Sequence, residues 1–333
     1  MSATPLRDGF GRAHRSLRLS LTDRCNLRCR YCMPAEGLEW LPGARLMSDD
    51  EAVRLVALLA RLGVAHLRIT GGEPLVRAGA CALIERLAAL PGVHPPALTT
   101  NGVLLADRVA ELMRAGIGRV NVSLDSLDPE RFAAITRRRD LDRVLAGIAA
   151  ACARPELAPV KVNAVTMRGL NEDDVLPLAR MAREMPVVMR FVEFMPLDAP
   201  RTWRATDVLT GAEVREIIGR RWPLVPVGRE RAAATGARFA FADRPDAIIE
   251  TVSSVSEPFC IACDRLRLTA DGRLRTCLFA DGETDLLGPL RAGAGDDELE
   301  AIVREAVAGK GPGHGIADPG WSYTGRPMSR IGG

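Results

Sequence analysis

Cys25, Cys29 and Cys32 stand together in the run Thr-Asp-Arg-Cys-Asn-Leu-Arg-Cys-Arg-Tyr-Cys-Met-Pro, and the next cysteine is Cys81. The spacing Cys-x-x-x-Cys-x-x-Cys puts three thiols on one short loop. Three thiolates hold three irons of a four-iron cube and leave the fourth open to a substrate or cofactor, whereas an electron carrier normally has every iron ligated by protein. Zinc is the plainer alternative. Structural zinc takes four ligands, usually from paired Cys-x-x-Cys knuckles, and the nearby extra ligand here is His14.

A second trio follows far along the chain, Cys260, Cys263 and Cys277, spaced Cys-x-x-Cys-x13-Cys. Its bland reading is a zinc knuckle short of one ligand. Cys81 and Cys152 fall inside helical patterns, where small buried thiols are the expectation. If neither joins the trio, this too is a cluster with one open iron. Arg265 and Arg267 alternate with Cys263 and so share its strand face. Two guanidiniums beside an open metal suit an anionic or carbonyl-bearing ligand, because each offers a planar fork of donors; the alternative is a solvated hairpin face.

Thr70-Gly71-Gly72-Glu73-Pro74 is the remaining local signal. Its glycines permit close backbone approach by a ligand, and Glu73 is able to accept from an ammonium group. Such a turn is often only structural. The chain contains two lysines, Lys161 and Lys310, against many arginines. Codon bias toward arginine explains most of this, yet it makes Lys161 conspicuous.

The elements that position these residues repeat. Strand-like runs at Leu17 to Thr22, His66 to Thr70, Pro96 to Thr100, Arg119 to Asp125, Val160 to Val165 and Val187 to Met195 are each followed by a helix. Ser48 with Glu51 and Thr210 with Glu213 form capping boxes, and Asp128-Pro129 starts another helix. Six such repeats imply a parallel sheet with right-handed crossovers. Strands buried on both faces are almost wholly apolar, but here Leu17, Leu19 and Leu21 alternate with Arg18, Ser20 and Thr22. The runs from Leu67, Val120 and Val160 alternate in the same way. If the apolar faces meet the helices, the polar faces converge on a lumen that is a binding chamber. This predicts an α/β fold, a partial, six-stranded TIM-type barrel, with the chemistry on loops at the strand C-terminal ends. Arg18, Arg68 and Lys161 would converge there as a pocket for several negative charges.

Beyond about residue 205 the pattern changes. A helix at Thr210 to Arg220 precedes short strands at Leu224 to Val227, Arg238 to Ala242 and Ile248 to Val255. A hairpin joins Arg265 to Leu268 and Arg273 to Phe279 through Asp271-Gly272. A helix at Asp296 to Ala308 precedes a glycine-rich tail, which by composition reads as disordered. The expected division is 1–220, a partial barrel, and 221–333, a β-rich extension that carries the second cluster and ends in Gly332-Gly333.

The chain has 333 residues and 47% hydrophobic content, enough for a real core. A net charge of +3 argues against a nucleic-acid partner. No run of eighteen apolar residues and no signal-like N-terminus occur, so the cytoplasm is the expected compartment and no membrane is involved. There, eight cysteines point to metal or redox chemistry over disulfides.

Cys25, Cys29 and Cys32 with Tyr31 among them, then Gly-Gly-Glu-Pro after the second strand, resemble the radical S-adenosylmethionine superfamily. With the second trio, the Arg-Leu-Arg segment and the Gly-Gly end, the resemblance covers nearly the whole chain. It narrows to the GTP 3′,8-cyclase family of molybdenum cofactor biosynthesis. That resemblance implies two [4Fe-4S] clusters, S-adenosylmethionine as cofactor and GTP as substrate, cyclised between ribose C3′ and guanine C8. Tyr31, Gly72, Glu73, Ser123 and Met195 would contact S-adenosylmethionine. Arg18, Arg68, Thr99, Lys161, Arg265, Leu266 and Arg267 would bind GTP. Arg18, Arg265, Arg267, Gly332 and Gly333 would take part in catalysis, the tail reaching into the chamber. A flavodoxin- or ferredoxin-type electron donor, a homodimer, and the cyclic pyranopterin monophosphate synthase as next enzyme are also implied.

Two rivals make different demands. A radical peptide-maturation enzyme with an auxiliary cluster would carry more C-terminal cysteines and no triphosphate-binding cations. An iron–sulfur electron carrier would have fully ligated clusters and no need of a barrel.

Overall fold

The structure, a computed structural model, describes residues 5–199, 201–316, 321 and 325–332. Period-2 alternation builds its centre. β1 (Ser16–Ser20), β2 (His66–Thr70), β3 (Ala97–Thr100), β4 (Arg119–Ser123), β5 (Val160–Thr166) and β6 (Val187–Glu193) lie side by side and parallel. Their ends fall within two residues of the predicted ones. Leu17, Leu19, Ile69, Leu98, Val120, Val122, Val162 and Met189 turn to the helices and are buried in one hydrophobic core.

The helices that cover this face are α1 (Asp49–Arg61), α2 (Ala80–Ala88), α3 (Leu105–Arg114), α4 (Pro129–Thr136), α5 (Leu141–Cys152), α6 (Val175–Glu184) and α7 (Gly211–Arg221). Both expected capping boxes are present, at Ser48–Glu51 and Thr210–Glu213. Asp128 accepts from the Arg131 amide ahead of Pro129. Each such cap stabilises its helix end by about 1 kcal/mol.

The sheet is wider than six strands. β9 (Arg244–Val252) pairs parallel with β6, and β10 (Arg265–Leu268) pairs parallel with β1. Antiparallel β7 (Leu224–Gly228) and β8 (Ala237–Phe241) extend one side; β11 (Arg273–Arg275) and β12 (Thr284–Asp285) extend the other. The order is β12-β11-β10-β1-β2-β3-β4-β5-β6-β9-β8-β7. The C-terminal region therefore adds strands to both sides of the N-terminal sheet.

Three C-terminal boundaries differ from expectation by three or four residues, among them the end of β9 at Val252 rather than Val255. β9 begins four residues before Ile248, because it has β8 as hairpin partner as well as β6. β11 stops at Arg275, short of the predicted Phe279. The buried Arg275 guanidinium donates to the Leu278 and Ala280 carbonyls and curls the chain into a loop around itself. α8 (Leu287–Arg291) and α9 (Asp296–Ala308) follow, and α10 (Met328–Ile331) lies in the tail. Among the described residues no helix is long and apolar enough to cross a membrane.

Candidate active site

The polar faces of the strands border a cavity of about 290 Å³, and both cysteine trios line it. Cys25, Cys29 and Cys32 sit on the loop between β1 and α1. That loop has little regular structure and is pinned from outside. Arg28 and Arg30 amides donate to Thr136 and Ile135 at the end of α4, and Arg137 donates to the Arg28 and Met33 carbonyls. Cys260 and Cys263 flank a single tight turn before β10, and Cys277 follows β11.

Burial pushes the Cys25 thiol up to about 11, and pushes Cys29 and Cys32 higher still with help from their neighbouring thiols and Asp125. Such thiols stay neutral until a metal displaces their protons. Cys260 is likewise raised by burial. Cys263 behaves differently: burial would raise it, but Arg265 and Lys310 outweigh that and hold it below its ordinary value.

Neither Cys81 nor Cys152 borders the cavity, so each trio stays a trio there. Among the described residues no three His, Cys, Asp or Glu groups converge as a single ion requires. Thiolates at separate corners of an iron cube stand wider apart than the ligands of one tetrahedral zinc, with bonds of about 2.3 Å. Each trio thus offers three thiols on one side of the cavity, a donor set compatible with a four-iron cluster.

The Gly-Gly-Glu-Pro turn follows β2 and packs on the start of the cysteine loop. Gly72 N donates to Thr22 O at 2.8 Å, and Glu73 N to Arg24 O at 2.8 Å. A Cβ on Gly72 would lie 2.3 Å from Arg24 O and 2.6 Å from Asp23 O. Gly72 therefore allows a close approach between two segments of this chain, and it also borders the cavity. Glu73 is buried and accepts from Leu75 N, Thr100 Oγ1 and Asn101 N at 3.0, 2.8 and 2.7 Å. Three of its roughly four acceptor positions are filled, which leaves about one for a ligand. Burial raises its carboxyl to about 7 against those three donors.

Tyr31, Ser123 and Met195 all border the cavity. Tyr31 donates its hydroxyl to Asp125 Oδ2 at 2.7 Å, and Asp125 Oδ1 accepts from Val165 N. Burial pushes Asp125 up to about 6. Asn101 ties the two loops together, with Nδ2 2.7 Å from Asn26 Oδ1 and 3.7 Å from Cys25 Sγ.

The cations form a row fixed by strand register. Arg18 on β1 lies opposite Arg267 on β10 and Arg68 on β2, and Arg267 lies opposite Arg275 on β11. Like charges directly opposed across a sheet repel. Burial first, then Arg265 and Arg190, bring Arg18 down to about 10; burial, then Arg18, lowers Arg68 and Arg267 well below their ordinary values. Such a row asks for an anion.

A second cavity of about 200 Å³ lies toward the N-terminal ends of the strands. It shares Arg18, Arg190, Thr235 and Arg265 with the first, and adds Arg68, Arg119, Lys161 and Arg231. Arg68, Lys161 and Arg18 line this second cavity together, whereas of the three only Arg18 also borders the cavity with the cysteines. Thr99 borders the larger cavity and accepts from Arg68 Nη1 at 3.4 Å. Lys161 is not a free cation: it pairs with Glu230 at 2.8 Å and Glu250 at 3.0 Å. Leu266 stands between the two arginines. Its side chain is 0% exposed in the core behind β10, so only its backbone could reach a ligand.

The tail departs from its compositional reading. Met328 and Ser329 border the cavity, Ile331 is buried, and Arg267 Nη1 donates to Gly332 O. Gly332 has φ +91°, and a Cβ there would stand 2.0 Å from Ser20 Oγ. Gly333 lies outside the described residues. Arg190, Asp125, Asn101 and Lys310 were not singled out from sequence. Arg190 carried a signal, a lone cation within the apolar run of β6.

Cysteine trios on a strand-end loop and an added module, facing one cavity of an α/β fold, define a radical S-adenosylmethionine protein. Residues 19–182 match the Radical SAM superfamily, and residues 187–316 match Molybdenum Cofactor Synthesis C. The chain is 49% identical over 330 residues to a GTP 3′,8-cyclase of Mycobacterium sp. (strain KMS), covering 99% of this chain and 94% of that one. It is 46% identical to a GTP 3′,8-cyclase of Streptomyces coelicolor, covering 98% and 96%. The chain belongs to the GTP 3′,8-cyclase family. In fold it is similar to the crystal structure of Streptococcus suis SuiB, with TM-score 0.56 at 14% identity over 94% of this chain and 67% of that one.

Proposed function

We propose that this chain is a radical S-adenosylmethionine lyase. It converts GTP to (8S)-3′,8-cyclo-7,8-dihydroguanosine 5′-triphosphate, the first step of molybdenum cofactor biosynthesis. The observation that carries this reading is that two cysteine trios border one cavity together with the register-paired Arg18 and Arg267, while Arg68, paired with Arg18 on its other side, lines the adjoining cavity. The relatives named GTP 3′,8-cyclase support it over nearly the full chain.

In this reading residues 1–220 form a partial barrel and residues 221–333 an auxiliary-cluster extension. Cys25, Cys29 and Cys32 hold the first [4Fe-4S] cluster; Cys260, Cys263 and Cys277 hold the second. S-adenosylmethionine on the first cluster, when bound, supplies a carbon radical that abstracts hydrogen. Tyr31, Gly72, Ser123 and Met195 line that cofactor's seat, and the one acceptor position left on Glu73 takes an N–H from its ammonium group.

The protein's part in the reaction is positioning. Arg18, Arg68 and Lys161 draw the triphosphate toward the strand N-terminal ends, with charge-assisted hydrogen bonds that a neutral nucleoside cannot make. Thr99 and the Arg265-Leu266-Arg267 segment hold the rest of the nucleotide, Leu266 through its backbone. With both ends of GTP fixed, the C3′ hydrogen is the one presented, and orientation replaces a search by diffusion. Arg18, Arg265 and Arg267 surround the reacting nucleotide, Gly332 seats the tail against them, and Gly333, outside the described residues, takes part in catalysis in this reading. Exclusion of water protects the radical from side reactions.

Cytoplasmic residence, a homodimer, a flavodoxin- or ferredoxin-type electron donor and delivery of product to the cyclic pyranopterin monophosphate synthase complete the reading. The test is anaerobic. Reconstituted protein should hold about eight irons per chain, by cube arithmetic, and with reductant, GTP and S-adenosylmethionine should give the cyclised nucleotide by mass spectrometry. Bound zinc with substoichiometric iron would sink it.

A further inference from the structure

Lys310 has no role in the function proposed above, and this inference rests on the two-cluster part of that reading. It follows α9 and is 4% exposed. Its Nζ lies 3.4 Å from Cys263 Sγ and 3.0 Å from the carbonyl oxygen of Arg265. The other lysine, Lys161, is matched by two glutamates. Lys310 has no carboxylate partner among the described residues; the titratable side chains that face it are Cys263, Cys277, Arg12 and His14.

A buried ammonium without a nearby anion is strongly unfavourable. Of the two acceptors Lys310 meets, only the sulfur is able to carry a negative charge. The position is also built from behind. Arg12 donates to Cys260 O at 2.9 Å, Gly311 O at 2.6 Å and Pro312 O at 2.9 Å, while its Nε pairs with Asp8 at 2.6 Å. One side chain thus binds the cysteine turn and the segment after Lys310 to the N-terminal stretch, whose purpose was not legible from sequence.

We propose that Lys310 is a positioning residue of the second cluster, donating an N–H to the Cys263 sulfur and serving as its counter-cation. Hydrogen bonds to ligand sulfurs tune the potential of an iron–sulfur cluster. A cationic donor stabilises the reduced, more negative cluster more than the oxidised one, so Lys310 raises the potential of the second cluster.

The test isolates the second cluster. In a Cys25→Ala, Cys29→Ala, Cys32→Ala background only the second trio loads iron, about four per chain. Its midpoint is read by EPR during titration with dithionite. A background chain that holds no cluster overturns the two-cluster reading before the lysine is at issue. Given the cluster, Lys310→Met should lower the midpoint by at least a tenfold change in the one-electron equilibrium, 59 mV, and Lys310→Arg should restore most of it. An unchanged midpoint in Lys310→Met overturns the proposal. If Lys310→Met loses the cluster, retention by Lys310→Arg supports the donor role, and loss in both overturns it in favour of simple packing.

Discussion

Arg267 donates from Nη1 to the carbonyl of Gly332, seating that glycine against β10 beside Ser20 and Thr70. The contact satisfies two costly groups at once. A buried guanidinium flanked by Arg18 and Arg265 gains an acceptor, and the backbone carbonyl of Gly332 gains a donor.

Gly332→Ala tests that seat. The residue sits at φ +91°, and the new Cβ would fall 2.0 Å from Ser20 Oγ and 2.8 Å from Thr70 Oγ1. Alanine is strained at this φ, and the Ser20 and Thr70 hydroxyls must turn aside to admit it, so the seat of the tail is weakened. Cyclised product by mass spectrometry should fall below detection while iron stays at about eight per chain. Full turnover would mean that the tail is a passenger.

Lys161 and Glu230 should act in opposite directions on GTP. Lys161→Ala removes a cation and leaves Glu230 and Glu250 without it. The loss of one charge-assisted hydrogen bond predicts weakening of about 10- to 100-fold, with slow uncoupled cleavage of S-adenosylmethionine retained. Glu230→Gln should tighten GTP several-fold, since a carboxylate that competes for Lys161 is gone. Calorimetry on both variants decides, and equal affinities in all three proteins would refute the triphosphate seat.

Gly72→Ala should unseat the first cluster alone. Its Cβ would press on the backbone carbonyls of Asp23 and Arg24, and backbone yields less readily than a side chain. A strain of about 1–3 kcal/mol is expected, concentrated on the loop that carries Cys25. Iron should fall from about eight to about four per chain, with the EPR signal of the second cluster intact.

Glu73 gives a pH dependence with a definite sign. Burial lifts its carboxyl from 4.5 to about 7, so the folded protein holds a proton that the unfolded chain has released. Stability from this group is fully present below about pH 4.5 and is lost as pH rises through 7. The difference is on the order of 3 kcal/mol at most. Denaturant titrations from pH 4.5 to 8 should show wild-type stability declining more steeply than that of Glu73→Gln. Parallel slopes would show that Glu73 is ionised at no cost.

The chemistry was legible because cysteine spacing and strand alternation are local properties. A thiol trio within eight residues, and Arg18 between Leu17 and Leu19, are visible without a fold. The helix bounds of α9 and the capping boxes of α1 and α7 were legible for the same reason, since caps and 3.6-residue periodicity are written in adjacent residues.

What depended on distant parts of the chain was not. The pairing of β10 with β1 sets Arg267 opposite Arg18 although 249 positions separate them in sequence; no local pattern encodes that register. The capture of Lys161 by Glu230 and Glu250, the use of Gly72 for packing one loop on another, and the seating of a glycine-rich tail all needed the assembled sheet. The amino-acid sequence alone determined the two cysteine trios and the polar strand faces. Only the tertiary structure decided that they border one cavity, because burial and long-range pairing settle which cations keep a free charge and which already have a partner.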